Sequence, residues 1–160
     1  MTDATGVPSV QERYYPTLTC FGCGPANAQG LRLRSYVADD GESVRATFRP
    51  WPQHDNGLGY LNGGIISTLL DCHSAAAVVV ASDRAGLSPD GSLQYVTAGL
   101  DVRFRRPSPL DEPVDLVARA VRVDEGQIDV DVELWWQDRV RASAGAVWKR
   151  WRPRDGAAPS

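Results

Sequence analysis

A single antiparallel β-sheet curved around one long buried helix, an α+β arrangement, is the fold class this sequence predicts, and three observations predict it. The stretch Gly63 to Ser82 is apolar on nearly every side, its polar side chains up to Ala81 being Ser67, Thr68, Asp71, His73 and Ser74. A helix of that length runs about 30 Å and, lacking a polar face, has to be covered. The segments around it alternate apolar and polar residues with period two, as in Ile128, Val130, Val132 and Leu134 against Asp129, Asp131 and Glu133. That is the pattern of strands buried on one face. The order is two strands, the helix, then four strands, which one sheet wrapped around the helix satisfies.

Taken in sequence, residues 1 to about 16 are rich in Pro, Gly, Ala, Ser and charge and are expected to fray, as is the tail 152–160. One domain is expected over residues 17–151. Cys20 to Gly30 reads as a loop. Leu31 to Val37 alternates as a strand, Asp39-Asp40-Gly41-Glu42 supplies hairpin-turn chemistry, and Ser43 to Arg49 returns as a second strand. Pro50-Trp51-Pro52 stops it, and Gln53 to Leu61 is a loop carrying His54, Asp55 and Asn56. After the helix come strands at Gln94 to Arg106, with Leu100, Val102 and Phe104 on one face, Pro113 to Asp124, Gln127 to Gln137, and Arg139 to Trp151. Pro107-Ser108-Pro109, Asp124-Glu125-Gly126 and Gln137-Asp138 are the turns between them.

Composition narrows the function. With 160 residues, 42% of them hydrophobic, the chain can build one core, and a net charge of −3 gives no general attraction to nucleic acid. The N-terminal residues show no basic region followed by an apolar one, and the longest apolar run, Ala75 to Ala81, is far short of the ~20 residues of a membrane span. A cytoplasmic protein with no membrane partner is expected. Three cysteines fit a reducing compartment. Cys20 and Cys23 have C-x-x-C spacing, but zinc needs two more ligands, and only His54, Cys72 and His73 could complete a set from afar. The expectation is a structural role for small thiols in a tight loop, with no metal and no cofactor. Patterns for phosphate loops, dinucleotide folds, serine hydrolases and zinc peptidases are missing.

The run Asn62-Gly63-Gly64-Ile65-Ile66-Ser67-Thr68-Leu69-Leu70-Asp71 carries the chemistry. Two glycines at a helix start leave the first-turn N–H groups, the positive end of the helix dipole, open to a carbonyl oxygen. Asp71 sits in surroundings that normally exclude a carboxylate, and residues three, four and seven positions from it are small or modest in size. His73 lies on the opposite, apolar stripe and reads as a hydrogen-bonded core or interface histidine.

Over Cys20 to Trp151 the chain resembles the hot-dog-fold thioesterases of the phenylacetate-pathway, or PaaI-like, group. That group's motif is His-Gly-Gly with an acidic residue nine positions after the His, and a strand ending in an R-F-x-R-P-like sequence. This chain has Asn62-Gly63-Gly64 with Asp71, and Val102-Arg103-Phe104-Arg105-Arg106-Pro107. Cys20-Phe21-Gly22-Cys23-Gly24-Pro25-Ala26-Asn27 with Gly30-Leu31 resembles the opening segment of one branch. The resemblance implies an acyl-coenzyme A thioester bound at the interface of a homodimer, alone or as a dimer of dimers. It implies that the Gly63 N–H polarises the thioester carbonyl with help from Asn56, while Asp71 of the partner subunit is base or nucleophile and Thr97 orients water or carboxylate. Substrate binding then falls to Asn62, Gly64 and His54, with Arg103, Arg105 and Arg106 toward the coenzyme's phosphates. The departure is Asn62 where His is usual, although Asn caps a helix well. A non-catalytic acyl-thioester-binding or scaffold protein is one alternative. A dehydratase or hydratase is the other, resting on His54 and Asp55, though the helix Glu such enzymes pair with a loop His is Thr68 here.

Overall fold

The computed structural model describes residues 6–87 and 95–152. The chain joins the fold at Ser9, earlier than its composition suggests. Ser9 Oγ accepts from the Glu12 N–H, and the Ser9 N–H donates back to Glu12 at 2.9 Å. This capping box starts a short helix, α1 (Val10–Tyr14), whose Val10 and Gln11 are buried. The expected fraying up to about residue 16 is therefore corrected for residues 9–14. Ser9-Val10-Gln11-Glu12 is the local signal for it. The anticipated tail beyond residue 152 lies outside the described residues, as does Gln94.

The strand expected over 31–37 is mostly not part of the sheet. Only β1 (Tyr36–Val37) pairs with β2 (Val44–Phe48). Leu31 and Leu33 donate instead to the carbonyls of Phe21 and Gly22, and Arg32, at φ 55°, turns the backbone out of a ladder. The alternation of buried Leu31, Leu33 and Ser35 is real, but the backbone of Leu31 and Leu33 pairs with the 20–24 loop, and Ser35 meets Gln11 and His73. Asp40 forms the expected turn, its Oδ1 accepting from the Glu42 and Ser43 N–H groups. A short 3₁₀ turn at Pro52–His54 follows β2.

The long helix is α2 (Gly63–Arg84), and β3 (Tyr95–Phe104), β4 (Val114–Val123), β5 (Gln127–Trp136) and β6 (Arg139–Arg150) complete the set. All pairings are antiparallel, in the order β1-β2-β4-β5-β6-β3. By length and composition α2 could cross a membrane, but here it packs mainly on β4 and β5, burying Leu69, Leu70, Ala76, Ala77 and Val78 against Leu116, Val130, Val132 and Leu134. Small buried residues on both sides, Ala76 and Ala77 on the helix and Ala142, Ala144 and Ala146 on β6, let the layers approach closely. A buried leucine such as Leu69 contributes about 2 kcal/mol through area removed from water. The structure thus has the six-stranded sheet and single long helix that the sequence predicts.

The helix carries the chain across the sheet, so β3 forms at the far edge beside β6 instead of next to β2. Of its ten residues only Tyr95 is buried. Leu100 and Val102 are partly covered, and Phe104 is exposed. After β3, the Pro107–Pro109 turn runs back to the segment before α2, where Leu61 donates to the Ser108 carbonyl and Tyr60 bridges Pro109. These ties join the end of β3 to the start of α2.

Candidate functional site

Asn62 caps α2: its Oδ1 accepts from the Gly64 N–H at 2.7 Å and from the Ile65 N–H at 3.3 Å. Such a cap contributes about 1 kcal/mol. Gly64, expected to serve substrate, has its donor occupied by this bond. The Gly63 N–H makes no hydrogen bond among the described residues, and it is the one left for a ligand oxygen at the dipole's positive end. A Cβ at Gly63 would touch the Phe104 ring, so glycine keeps this donor uncovered.

The preceding loop is folded on its own side chains. Asp55 Oδ1 accepts from the Gly57 and Gly59 N–H groups, and Asn56 Oδ1 from those of Leu58 and Tyr60. Both glycines have positive φ, 88° and 84°, which the tight path requires. With its oxygen engaged, the Asn56 carboxamide has only its NH₂ to offer, the polarity a developing oxyanion needs. Asn56 and Gly63 line one open groove of about 450 Å³ with Tyr60, Phe104, Arg105 and Arg106. Tyr60, Phe104 and Leu58, 79% exposed, make its apolar wall, and of these Tyr60 and Leu58 are not among the residues the sequence points to.

The arginines divide. Arg105 and Arg106 line the groove, their N–H groups fixed on the Arg141 carbonyl, whereas Arg103 pairs with Asp101 at 3.0 Å away from it. His54 is corrected too. It is buried, stacked on Phe48 and packed against Trp51, and burial pulls its pKa below the ordinary value. A histidine in that position supports the loop and does not meet the groove, which removes the main support for a dehydratase or hydratase.

Asp71 lies about 12 Å along the helix axis from Gly63, two turns further on. It is half-buried, and Thr97 Oγ donates to its Oδ1 at 2.8 Å. Burial raises the carboxyl above the usual carboxylate range, and the Thr97 bond partly offsets this. Thr97 sits where the β3–β6 register slips, between Thr97 and Gly99. One chain therefore brings Asn56, Gly63, Arg105 and Arg106 together and, separately, Asp71 with Thr97.

His73 is a core residue, as expected. Its Nε2–H donates to the Val44 carbonyl at 3.1 Å, so Nδ1 accepts from Ser35 Oγ at 2.9 Å, and Gln11 bonds to both the side chain and N–H of Ser35. Cys72, by contrast, meets the C-x-x-C pair: the sulfurs of Cys20, Cys23 and Cys72 all lie within 4.8 Å of one another.

Comparison with known proteins agrees with this architecture. A crystal structure of a thioesterase superfamily protein is similar at 28% identity and TM-score 0.61, over 78% of this chain but only 60% of that one. A phenylacetic acid degradation-related protein from Ralstonia eutropha JMP134 matches in fold with TM-score 0.67 and 24% identity, over 85% of this chain and 98% of that chain. A thioesterase protein from Streptococcus pneumoniae TIGR4, solved with coenzyme A, matches in fold with TM-score 0.60 and 19% identity, over 74% and 87% of the two chains. No curated protein matches the sequence. The thioesterase superfamily profile matches residues 58–143, more than half of the chain and the part that holds Gly63, Asp71 and Thr97. This protein, a hot-dog fold in architecture, belongs to the thioesterase superfamily.

Proposed function

We propose that this protein hydrolyses an acyl-coenzyme A thioester to the free acid and coenzyme A. The observation that carries the reading is the pairing of an open Gly63 amide, beside the Asn56 carboxamide, with a half-buried Asp71 held by Thr97. The amide and carboxamide would bear the charge that develops on the thioester oxygen, each such donor being typically worth ~10²- to 10³-fold in rate. Asp71 acts at the carbonyl carbon as base toward water or as nucleophile, and both roles need it ionised. When water attacks, its oxygen bonds to carbon, the carbon–sulfur bond breaks, and the proton taken by the carboxylate passes to the leaving sulfur.

The two halves meet if two copies associate. β3 is an edge strand ten residues long with Val96 and Phe104 about half exposed, and such an edge is a template for another strand. A second copy along it, with the two α2 helices antiparallel, sets Asp71 of the partner subunit beside Gly63. That the S. pneumoniae protein was solved with coenzyme A supports the choice of thioester.

Free-thiol release from short, long and aryl acyl-coenzyme A esters is expected for at least one class. No release from any of them would favour an acyl-thioester-binding protein instead. Arg105 and Arg106, on the groove's rim, are assigned to the coenzyme's phosphates. Replacing both with alanine should raise KM for the coenzyme A ester about fivefold, the worth of roughly 1 kcal/mol of exposed ion pairing. KM for an N-acetylcysteamine thioester, which has no phosphates, should not move. Equal effects on both substrates would remove the arginines from this role.

A further inference from the structure

We infer that Cys20, Cys23 and Cys72 form a three-thiolate site for a soft, closed-shell metal ion, with Zn²⁺ the fitting candidate and a fourth position open to water or an added ligand. The sulfurs of Cys20 and Cys72 are 3.8 Å apart. With zinc–sulfur bonds of ~2.3 Å, the edge of a tetrahedral site is about 3.8 Å, so this pair already has the spacing of two ligands on one ion. A disulfide needs ~2.0 Å between sulfurs and would require the loop to move. Cys23 completes the face, all three sulfurs falling within 4.8 Å of one another.

The surrounding chain is shaped to these sulfurs. The Gly24 N–H closes the loop on the Cys20 carbonyl at 2.8 Å. A Cβ at Gly22 would overlap the Cys72 sulfur, and one at Gly24 would overlap the Cys20 backbone, so the glycines let the loop reach the helix. Arg34, with its side chain 10% exposed, donates to the Cys23 carbonyl at 3.2 Å and brings positive charge to a centre that three thiolates leave net negative. No histidine supplies the fourth ligand, because His73 is bonded through both ring nitrogens and His54 is stacked on Phe48.

Binding replaces three thiol protons by one divalent ion, and those protons go to solvent. The ion would pin the 20–24 loop to the turn of α2 that carries Asp71. The site does not depend on the proposed hydrolysis, and its test reads metal and not turnover. The full chain, reduced and freed of metal, is titrated with Co²⁺ alone under argon. One Co²⁺ per chain is expected, with sulfur-to-cobalt charge-transfer absorption in the near ultraviolet that Zn²⁺ abolishes by displacement. Cys20→Ser, on a partly exposed residue, should keep the far-ultraviolet dichroism of the parent and bind Co²⁺ at least about tenfold more weakly. Cys72→Ala should do the same, and if it does not fold, Cys20→Ser decides. No charge-transfer band at excess Co²⁺, or a band unchanged in Cys20→Ser, overturns the site.

Discussion

Asp71→Asn is expected to lower kcat on the best acyl-coenzyme A ester at least ~10²-fold, the usual worth of a placed base, with the fold and assembly retained. Asparagine keeps the size of the side chain and can still accept from Thr97 Oγ, so the geometry at 2.8 Å survives while the ionisable group is gone. What is lost is the capacity to take a proton or attack carbon. The contrast is Thr97→Val, which removes the one hydrogen bond that opposes the upward pull of burial on Asp71. That variant should keep measurable turnover and show a smaller loss than Asp71→Asn. Full activity in Asp71→Asn, measured alongside an unchanged elution volume on size exclusion, would take the residue out of the mechanism.

The second large effect is on stability. His73 is fully buried and neutral, and burial pulls its pKa from the ordinary 6.5 down to about 4. The groups that face it are Ser35, with Gln11 behind it, and the backbone of Val44 and Leu116, none of them charged. Between these two values the unfolded chain binds a proton that the folded chain refuses. Stability is therefore complete above pH 6.5 and falls as pH drops toward 4, by about 3 kcal/mol over the window. Urea unfolding at a series of pH values measures this. His54, also pulled down by burial, adds to the slope, and Asp71, pushed up, opposes it. The difference between the parent and His73→Gln isolates the His73 contribution: the variant should be less stable at neutral pH yet lose less on acidification. Parallel curves for the two proteins would mean that His73 is not the acid-sensitive group.

Much of this was legible because it is local. Alternation marked β2, β4, β5 and β6, Asp40 and Asp124 marked turns by the amide groups their carboxylates can reach, and Gln137-Asp138, both at positive φ, marked the last hairpin. The helix cap and the isolated carboxylate were readable for the same reason: Asn62, Gly63 and Asp71 are read against neighbours within two turns. The capping box at Ser9 belonged to the same class of signal, and general composition masked it.

The misread residues are those whose partners lie far along the chain. Leu31 to Ser35 alternates like a strand, but Arg32 at positive φ and the Phe21 and Gly22 carbonyls decide that it pairs with a loop. His54 has the chemistry of a site residue, and stacking on Phe48 makes it a support. Arg103, Arg105 and Arg106 are neighbours in sequence, yet Asp101 draws the first away from the groove.

The sequence by itself determined β2, the long helix and the four strands after it, the open helix start and the half-buried acid, since periodicity, capping and turn chemistry act over a few residues. The tertiary structure alone decided that β3 crosses to the far edge, that Thr97 reaches Asp71, and that Cys72 meets Cys20 and Cys23. Those outcomes depend on which face of α2 packs against which strand, and burial of a whole apolar surface, not any single neighbour along the chain, selects that packing.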